Sequence, residues 1–206
     1  MEEPKINRII VCGCGAAGSN TFMHLLYSFP DLEYTLIDDD KVENRNYSVG
    51  TQPYTKADLN RPKVQALQRI AKMAKGNVKV KTVKERINSV SQVVDLAQDL
   101  DKTLVLDCFD NAKSRNIFLE APKELHIAHI GFSGSLTGTI EWNESYEALI
   151  HDEKDEEIDV CERSIARPFI MGLTSIAAIT LAKFITSSQK VNCFYSKNLK
   201  LMVFPS

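Results

Sequence analysis

No Cys-x-x-Cys pair occurs in the 206 residues, and the five cysteines (Cys12, Cys14, Cys108, Cys161 and Cys193) are odd in number. That usage argues against a disulfide framework and suits a reducing, cytoplasmic compartment. The opening MEEPKINR has no apolar core of the kind a secretory signal needs. The formal charge is only -2, so no global field points to nucleic acid or to an anionic membrane. Repeats, low-complexity tracts and interdomain linkers are lacking as well. Residues 1–206 are therefore expected to form one domain, and that length is enough for one sizeable core. The one long apolar run, Phe169 to Ile185, is short for a membrane span and carries Thr174, Ser175, Thr180 and Lys183. It reads as a helix buried in the core or at a subunit interface, with no membrane partner expected.

What is present is a globular composition, 44% hydrophobic and 25% charged, arranged around Arg8 to Asp40. Arg8 to Cys12 is a β-branched run that reads as a buried strand. It leads into Gly13-Cys14-Gly15-Ala16-Ala17-Gly18, a complete G-x-G-x-x-G, and then into a helix with Phe22, Leu25, Leu26 and Phe29 on one side. Tyr34 to Ile37 reads as a second strand ending at Asp38, about twenty residues past the last glycine. Gly13 allows a tight turn, Gly15 lets backbone approach a phosphate, and Gly18 lets the helix lie close on the strand. N–H groups at the helix start then face an anion, favoured by the helix dipole. Asp38 can accept hydrogen bonds from ribose hydroxyls. A glycine-rich turn that binds no nucleotide is the bland alternative; strand, helix and acid in their places favour nucleotide binding.

Residues 39–50 are polar and turn-rich and read as a loop at the carboxyl end of the second strand, where ligands bind in open α/β sheets. Asn60 is placed to cap a helix with Pro62 near its first turn and Val64, Leu67, Ile70 and Ala74 as its buried stripe. Lys63, in that first turn, is either a solvated lysine or a cation aimed at phosphates. Val78 to Thr82 alternates as a third strand, Val90 to Leu100 reads as an amphipathic helix, and Thr103 to Leu106 as a buried strand ending at Asp107. Asp110 stands at a strand-to-helix junction, where it can cap the helix or hold Mg²⁺; Asn111 and Arg115 add groups on the same side. His126 to Ile130 and Thr139 to Trp142 read as strands, and His126 and His129 are assigned no role. Asp152 to Asp159 is an acidic run, and Asn192 to Phe204 reads as one or two last strands. The fold class is α/β: a Rossmann-like, mostly parallel sheet with helices on both faces and antiparallel strands near the carboxyl terminus.

Three segments together resemble the ThiF/MoeB family, the adenylating fold shared with ubiquitin-activating enzymes. They are the glycine loop GCGAAGSN; Asp38-x-Asp40-x-Val42 followed by Asn46 and by Arg61-Pro62-Lys63; and Asp107-Cys-Phe-Asp-Asn111 with Arg115 after it. Order and spacing match from about residue 8 to 120, and the apolar helix preceded by a Cys and a Pro extends the match more loosely. The resemblance implies ATP and Mg²⁺ as cofactors. The partner it implies is a small ubiquitin-like or sulfur-carrier protein ending in glycine, whose terminal carboxylate attacks the α-phosphorus. By matching positions, Gly13, Gly15, Ala16, Ala17 and Gly18 contact the nucleotide with Asp38 and Asp40, and Asp38 holds the ribose. Asn46, Asn111 and Arg115 belong to the same site. Lys63 neutralises phosphate charge and Asp110 holds Mg²⁺. Val49 stands where the family's motif usually carries an arginine, and Arg45 is the neighbouring cation that would take its role. The family's paired Cys-x-x-Cys zinc ligands are missing, so no structural zinc is expected. Cys161 stands where some members carry a transfer cysteine, and an incidental loop cysteine is the equal alternative. The resemblance and the apolar helix together suggest a homodimer.

Three functions follow. The leading one is ATP-dependent adenylation of a carboxyl-terminal glycine, with onward transfer through Cys161 as an extension. The second is a non-catalytic nucleotide- or partner-binding module. The third, an NAD-dependent oxidoreductase, is permitted by the glycine loop but leaves Lys63 and Asp110 without a task.

Overall fold

The computed structural model describes residues 6–147, 165–198 and 200–206. Five parallel strands, β1 (Arg8–Cys12), β2 (Glu33–Ile37), β3 (Lys79–Val83), β4 (Thr103–Asp107) and β5 (His126–Phe132), are continued by the antiparallel β6 (Thr137–Trp142), β7 (Val191–Ser196) and β8 (Leu201–Pro205). All eight lie in one sheet in the order β3-β2-β1-β4-β5-β6-β7-β8. The helices are α1 (Ala16–Ser28), α2 (Asn44–Ser48), α3 (Lys63–Lys75), α4 (Val90–Ala97), α5 (Ala112–Asn116) and α6 (Ala166–Ser187).

The near-continuous apolar strands follow from this layering, because a parallel sheet is covered on both faces. Successive side chains point to opposite sides. Ile9 and Val11 of β1, Leu104 and Leu106 of β4, and Ala128 and Ile130 of β5 join the core under α1, α3 and α6. Ile10, Cys12, Val105 and Ile127 join the second core, under α4 and the 3-10 turn Ile117–Glu120. On β6 the same alternation turns Gly138, Ile140 and Trp142 inward and leaves Thr137, Thr139 and Glu141 half-buried. Gly138 has no room for a side chain, since a Cβ there would meet the methyls of Leu173 on α6 at 2.7 Å.

The apolar run becomes α6, five residues longer in all than the run. By length and composition it could cross a membrane, but half of that stretch is buried. It packs along α1 and over β6 and β7. Four local readings are corrected. Residues 39–50 include the short α2, started by a reciprocal cap in which Glu43 and Asn46 satisfy each other's backbone N–H. Asn60 does not cap α3: it sits in a turn at φ +66°, its N–H bonded to Val42 O, and Pro62 occupies the capping position. The amphipathic helix stops at Ala97, because Gln98 turns to φ +63°, and Leu100 falls in a separate 3-10 turn. The helix after β4 is capped by Asn111, whose Oδ1 accepts the Ser114 N–H at 2.9 Å, and not by Asp110.

The turn before α3 is tied down by a buried carboxylate. Asp58, fully buried, accepts Thr55 N–H at 3.0 Å, the Thr55 hydroxyl at 2.9 Å, and a fork from Arg69 whose Nη2 lies 2.8 and 2.9 Å from its two oxygens. Burial alone would raise this carboxyl, but the Thr55 and Arg69 bonds outweigh it and hold it below the ordinary value. A depressed acid contributes stability that is present above its unfolded value, about 3.9, and is lost as pH falls through the folded one. Asp58→Asn is therefore expected to cost about 3 kcal/mol near neutral pH. The gap to wild type should narrow below about pH 4, which thermal melts across pH 3–7 would show.

Candidate functional site

Strand order reverses between β1 and β4, so the loops leaving their carboxyl ends diverge and open a crevice. The crevice is a cleft of about 940 Å³ lined from both loops, from the α2–α3 region and from β5 and β6.

The glycine loop forms its floor. Gly13 stands at φ +94°, a region that disfavours a side chain, and a Cβ there would meet Cys108 O at 2.8 Å. Gly15 caps α1 without a side-chain bond, and nothing lies within 4 Å of where its Cβ would be. The N–H groups at the start of α1, from Ala16 and Ala17, have no intrahelical acceptor, and both residues line the cleft. Gly18 is not among the cleft residues. It sits where α1 crosses the loop, and a Cβ there would fall 1.9 Å from Gly13 O.

Asp38 ties this loop to β2. Its Oδ2 accepts the Cys14 N–H at 2.6 Å and its Oδ1 the Asp40 N–H at 2.8 Å, leaving lone pairs toward the cleft. Burial raises its carboxyl; Lys63 and the two N–H groups offset only part of that. The Lys63 ammonium donates to Asp40 Oδ2 at 2.6 Å. Burial would lower it, and Asp38 and Asp40 more than compensate, so it is held charged above its usual value. Lys63 is thus the buried cation of the cleft wall and not a solvated lysine. The Tyr54 hydroxyl donates to Cys14 O at 2.7 Å and closes the back of the loop. Cys12 and Cys14 are fully buried, with thiols pushed up by that burial, which suits packing and not chemistry.

The other predicted residues converge less tightly. Asn46 is buried and lines the cleft, with its side-chain oxygen accepting the Glu43 N–H at 2.7 Å. Arg45 stands at the rim in an exposed pair with Glu43 at 2.9 Å. Asp110 is exposed at the opposite rim, where its Oδ1 accepts a 3.3 Å bond from Asn111. An exposed carboxylate at the mouth of such a cleft is a hard oxygen donor that fits Mg²⁺. Asp38, Asp39 and Asp40 also bring carboxylate oxygens within 4.8 Å of one another, but Asp38 is held by backbone and Asp40 by Lys63. Cys161 lies outside the described residues.

Sequence reading missed the buried group behind Arg115. Arg115 leans over the Tyr146 ring, 5.7 Å from its centroid, with its Nε 3.4 Å from Asp107 Oδ2. The same carboxylate oxygen lies 2.7 Å from His129 Nδ1, and His129 stacks on Tyr146 with centroids 3.7 Å apart. Asp107 Oδ1 accepts the Phe109 N–H at 3.1 Å, which anchors the loop that carries Asp110. Asp107 and His129 are 22 positions apart and meet only because β4 and β5 pair in that register. No local motif signals that contact.

A family model described as the ThiF family matches residues 3–204. The chain belongs to the ThiF family. Among curated proteins no relative matches. Of the solved structures that resemble this ThiF-family chain, PaaA superposes with TM-score 0.69 at 19% identity. E. coli MccB with ATP superposes at 0.71 and 16%, and the Microcin C7 biosynthetic enzyme MccB in complex with N-formylated MccA at 0.72 and 16%. Each match covers 98% of this chain but only 64%, 64% and 65% of the other, in the same order. At these identities the likeness is one of fold: a mostly parallel core with antiparallel carboxyl-terminal strands. The chain spans less than two-thirds of the length of these structures.

Proposed function

We propose that this chain is an ATP-dependent adenylyltransferase that activates the terminal carboxylate of a small protein or peptide. The observation that carries the reading is the convergence of three kinds of group on one cleft. These are N–H groups at the start of α1 that have no intrahelical acceptor, a buried and charged Lys63, and an exposed carboxylate at Asp110. Solved relatives of the fold with ATP and with MccA support it. In this reading the phosphates lie over Gly15 to Ala17, and Asp38 accepts the ribose hydroxyls. Lys63 neutralises phosphate charge, and Asp110 would hold Mg²⁺, which when bound would supply further neutralisation. The carboxylate oxygen bonds to the α-phosphorus as the bond to pyrophosphate breaks. The protein forms no covalent bond in that step: it orients the reactants and stabilises charge.

The finer identity rests on the family resemblance. It names a ubiquitin-like or sulfur-carrier partner ending in glycine, with Cys161 receiving the acyl group, in a cytoplasmic homodimer. Cys161→Ala that leaves all onward transfer intact would remove that cysteine from the scheme, and a monomer by light scattering at micromolar concentration would remove the dimer. One observation favours a non-catalytic variant of the same reading: position 49, where the family's motif usually carries an arginine, is valine.

Calorimetric titration with ATP·Mg²⁺ and with NAD⁺, on wild type and Asp110→Ala, is the deciding experiment. Binding of ATP that weakens about tenfold in the variant is expected. Binding of NAD⁺ in its place would overturn the reading, and loss of both would leave a scaffold for protein contact. Pyrophosphate exchange with a candidate partner then separates catalysis from binding.

A further inference from the structure

The net charge of -2 is an average that hides a segregated distribution. Residues 56–86 hold ten lysines and arginines against two acids, Asp58 and Glu85, a local net of +8 that leaves -10 for the rest of the chain. This segment is α3 and the edge strand β3 with their connections. Its cations face outward: Lys56, Arg61, Lys72, Lys75, Lys79, Lys81, Lys84 and Arg86 are all exposed. Lys56, Lys72, Lys81, Lys84 and Arg86 have no ion-pair partner among the described residues. Between α3 and β3 runs an open groove of about 510 Å³ lined by Arg61, Gln65, Gln68, Arg69, Lys72 and Thr82, among others. The turn from Arg61 to Lys63 separates this groove from the cleft, with Arg61 on one side and Lys63 on the other.

We propose that this basic edge docks the phosphate backbone of a nucleic-acid duplex. Protection of a sheet edge by lysine accounts for Lys79 and Lys81 but not for Lys72 and Lys75 on α3, nor for Lys56 and Arg61 before it. Protein interfaces are depleted in lysine at their centres and built on apolar anchors, whereas here Met73 is the one large apolar side chain lining the groove. Lysine, arginine, glutamine and threonine are the side chains that contact phosphates. The segment contains no Phe, Tyr or Trp, so it offers no stacking platform for the splayed bases of a single strand. The five residues of β3 extend about 17 Å, the spacing of about five phosphates along one strand of a duplex.

The test is fluorescence anisotropy with a labelled 20-base-pair DNA duplex, and beside it the same strand single and polyglutamate. Duplex binding is expected to weaken about 100-fold between 50 and 200 mM salt, as about four neutralised phosphates require. Lys72→Glu with Lys81→Glu should weaken it at least tenfold and flatten the salt slope by about two. Lys123→Glu with Lys197→Glu, exposed positions outside the segment, should change it less than threefold. No duplex binding at 50 mM salt, equal loss in both double variants, or tighter binding of polyglutamate than of duplex would each overturn the proposal. ATP titration of the same variants keeps the outcome separate from the cleft: the proposal stands or falls whether or not ATP binds.

Discussion

Gly18→Ala is expected to cost about 3 kcal/mol or more, while Gly15→Ala, three residues earlier, costs about 1 kcal/mol at most and weakens ATP binding instead. At Gly18 a methyl group would fall 1.9 Å from a backbone oxygen of Gly13, which has no side-chain freedom to yield. Relief requires α1 to lift off the loop, and α1 packs against α6 along its length. Overpacking against side chains costs about 1–3 kcal/mol, and an unyielding backbone contact belongs at the top of that range or above it. For a chain of this size the melting temperature should fall by about 6–12 °C. At Gly15 the backbone is at φ -74°, which alanine adopts freely, and the space ahead is empty. Alanine is a poorer capping residue than glycine, hence the small cost. The added methyl projects into the space assigned to phosphate, so affinity for ATP should drop about tenfold or more. Thermal melts and ATP titration on the two variants check both halves. A stable Gly18→Ala protein would show that α1 can move, and a Gly15→Ala protein with unchanged affinity would place the phosphates elsewhere.

The same contrast separates what local sequence dictates in this fold from what only tertiary pairing decides. The roles of Gly13 and Gly18 follow from a local pattern of strand, turn and helix, and the turn and the close crossing are both found. The strands were legible for the same reason: short β-branched runs buried on both sides have few other homes. Helix starts were less so, because a capping residue competes with its neighbours. Asp110 and Asn111 are both good caps by type, and only the backbone decides that Asn111 faces Ser114. Asn60 is a capping residue by composition, yet the bridge from Lys41 to Pro62 pulls the chain into a turn before the helix begins. The Asp107–His129–Tyr146 group was not legible at all, since it is made by strand pairing and stacking across 22 and 17 positions. The positive edge was written in the composition, but a whole-chain sum erased it.

Lys63→Ala should separate a phosphate-binding role from a merely structural one. The lysine is buried and pairs with Asp40 at 2.6 Å while also facing Asp38, so its removal leaves two carboxylates beside the glycine loop without it. If Lys63 contacts phosphates, ATP loses one charge-assisted hydrogen bond worth about 2–3 kcal/mol, a drop of about 30- to 160-fold. AMP, held at ribose and base, should lose about threefold or less. A structural role predicts equal losses for both nucleotides, and that outcome would sink the assignment. The pH profile adds a signed check. Asp38 is raised by burial and held back in part by Lys63 and two backbone N–H groups, so without the lysine its carboxyl must rise further. A protonated Asp38 carries no charge and has lost an acceptor site for the ribose hydroxyls, so affinity for AMP falls as pH drops through its titration. In the variant that fall should begin at higher pH than in wild type. Titrations with ATP and AMP from pH 5 to 8 would show it, and coincident AMP profiles would mean that Lys63 does not set the charge state of Asp38.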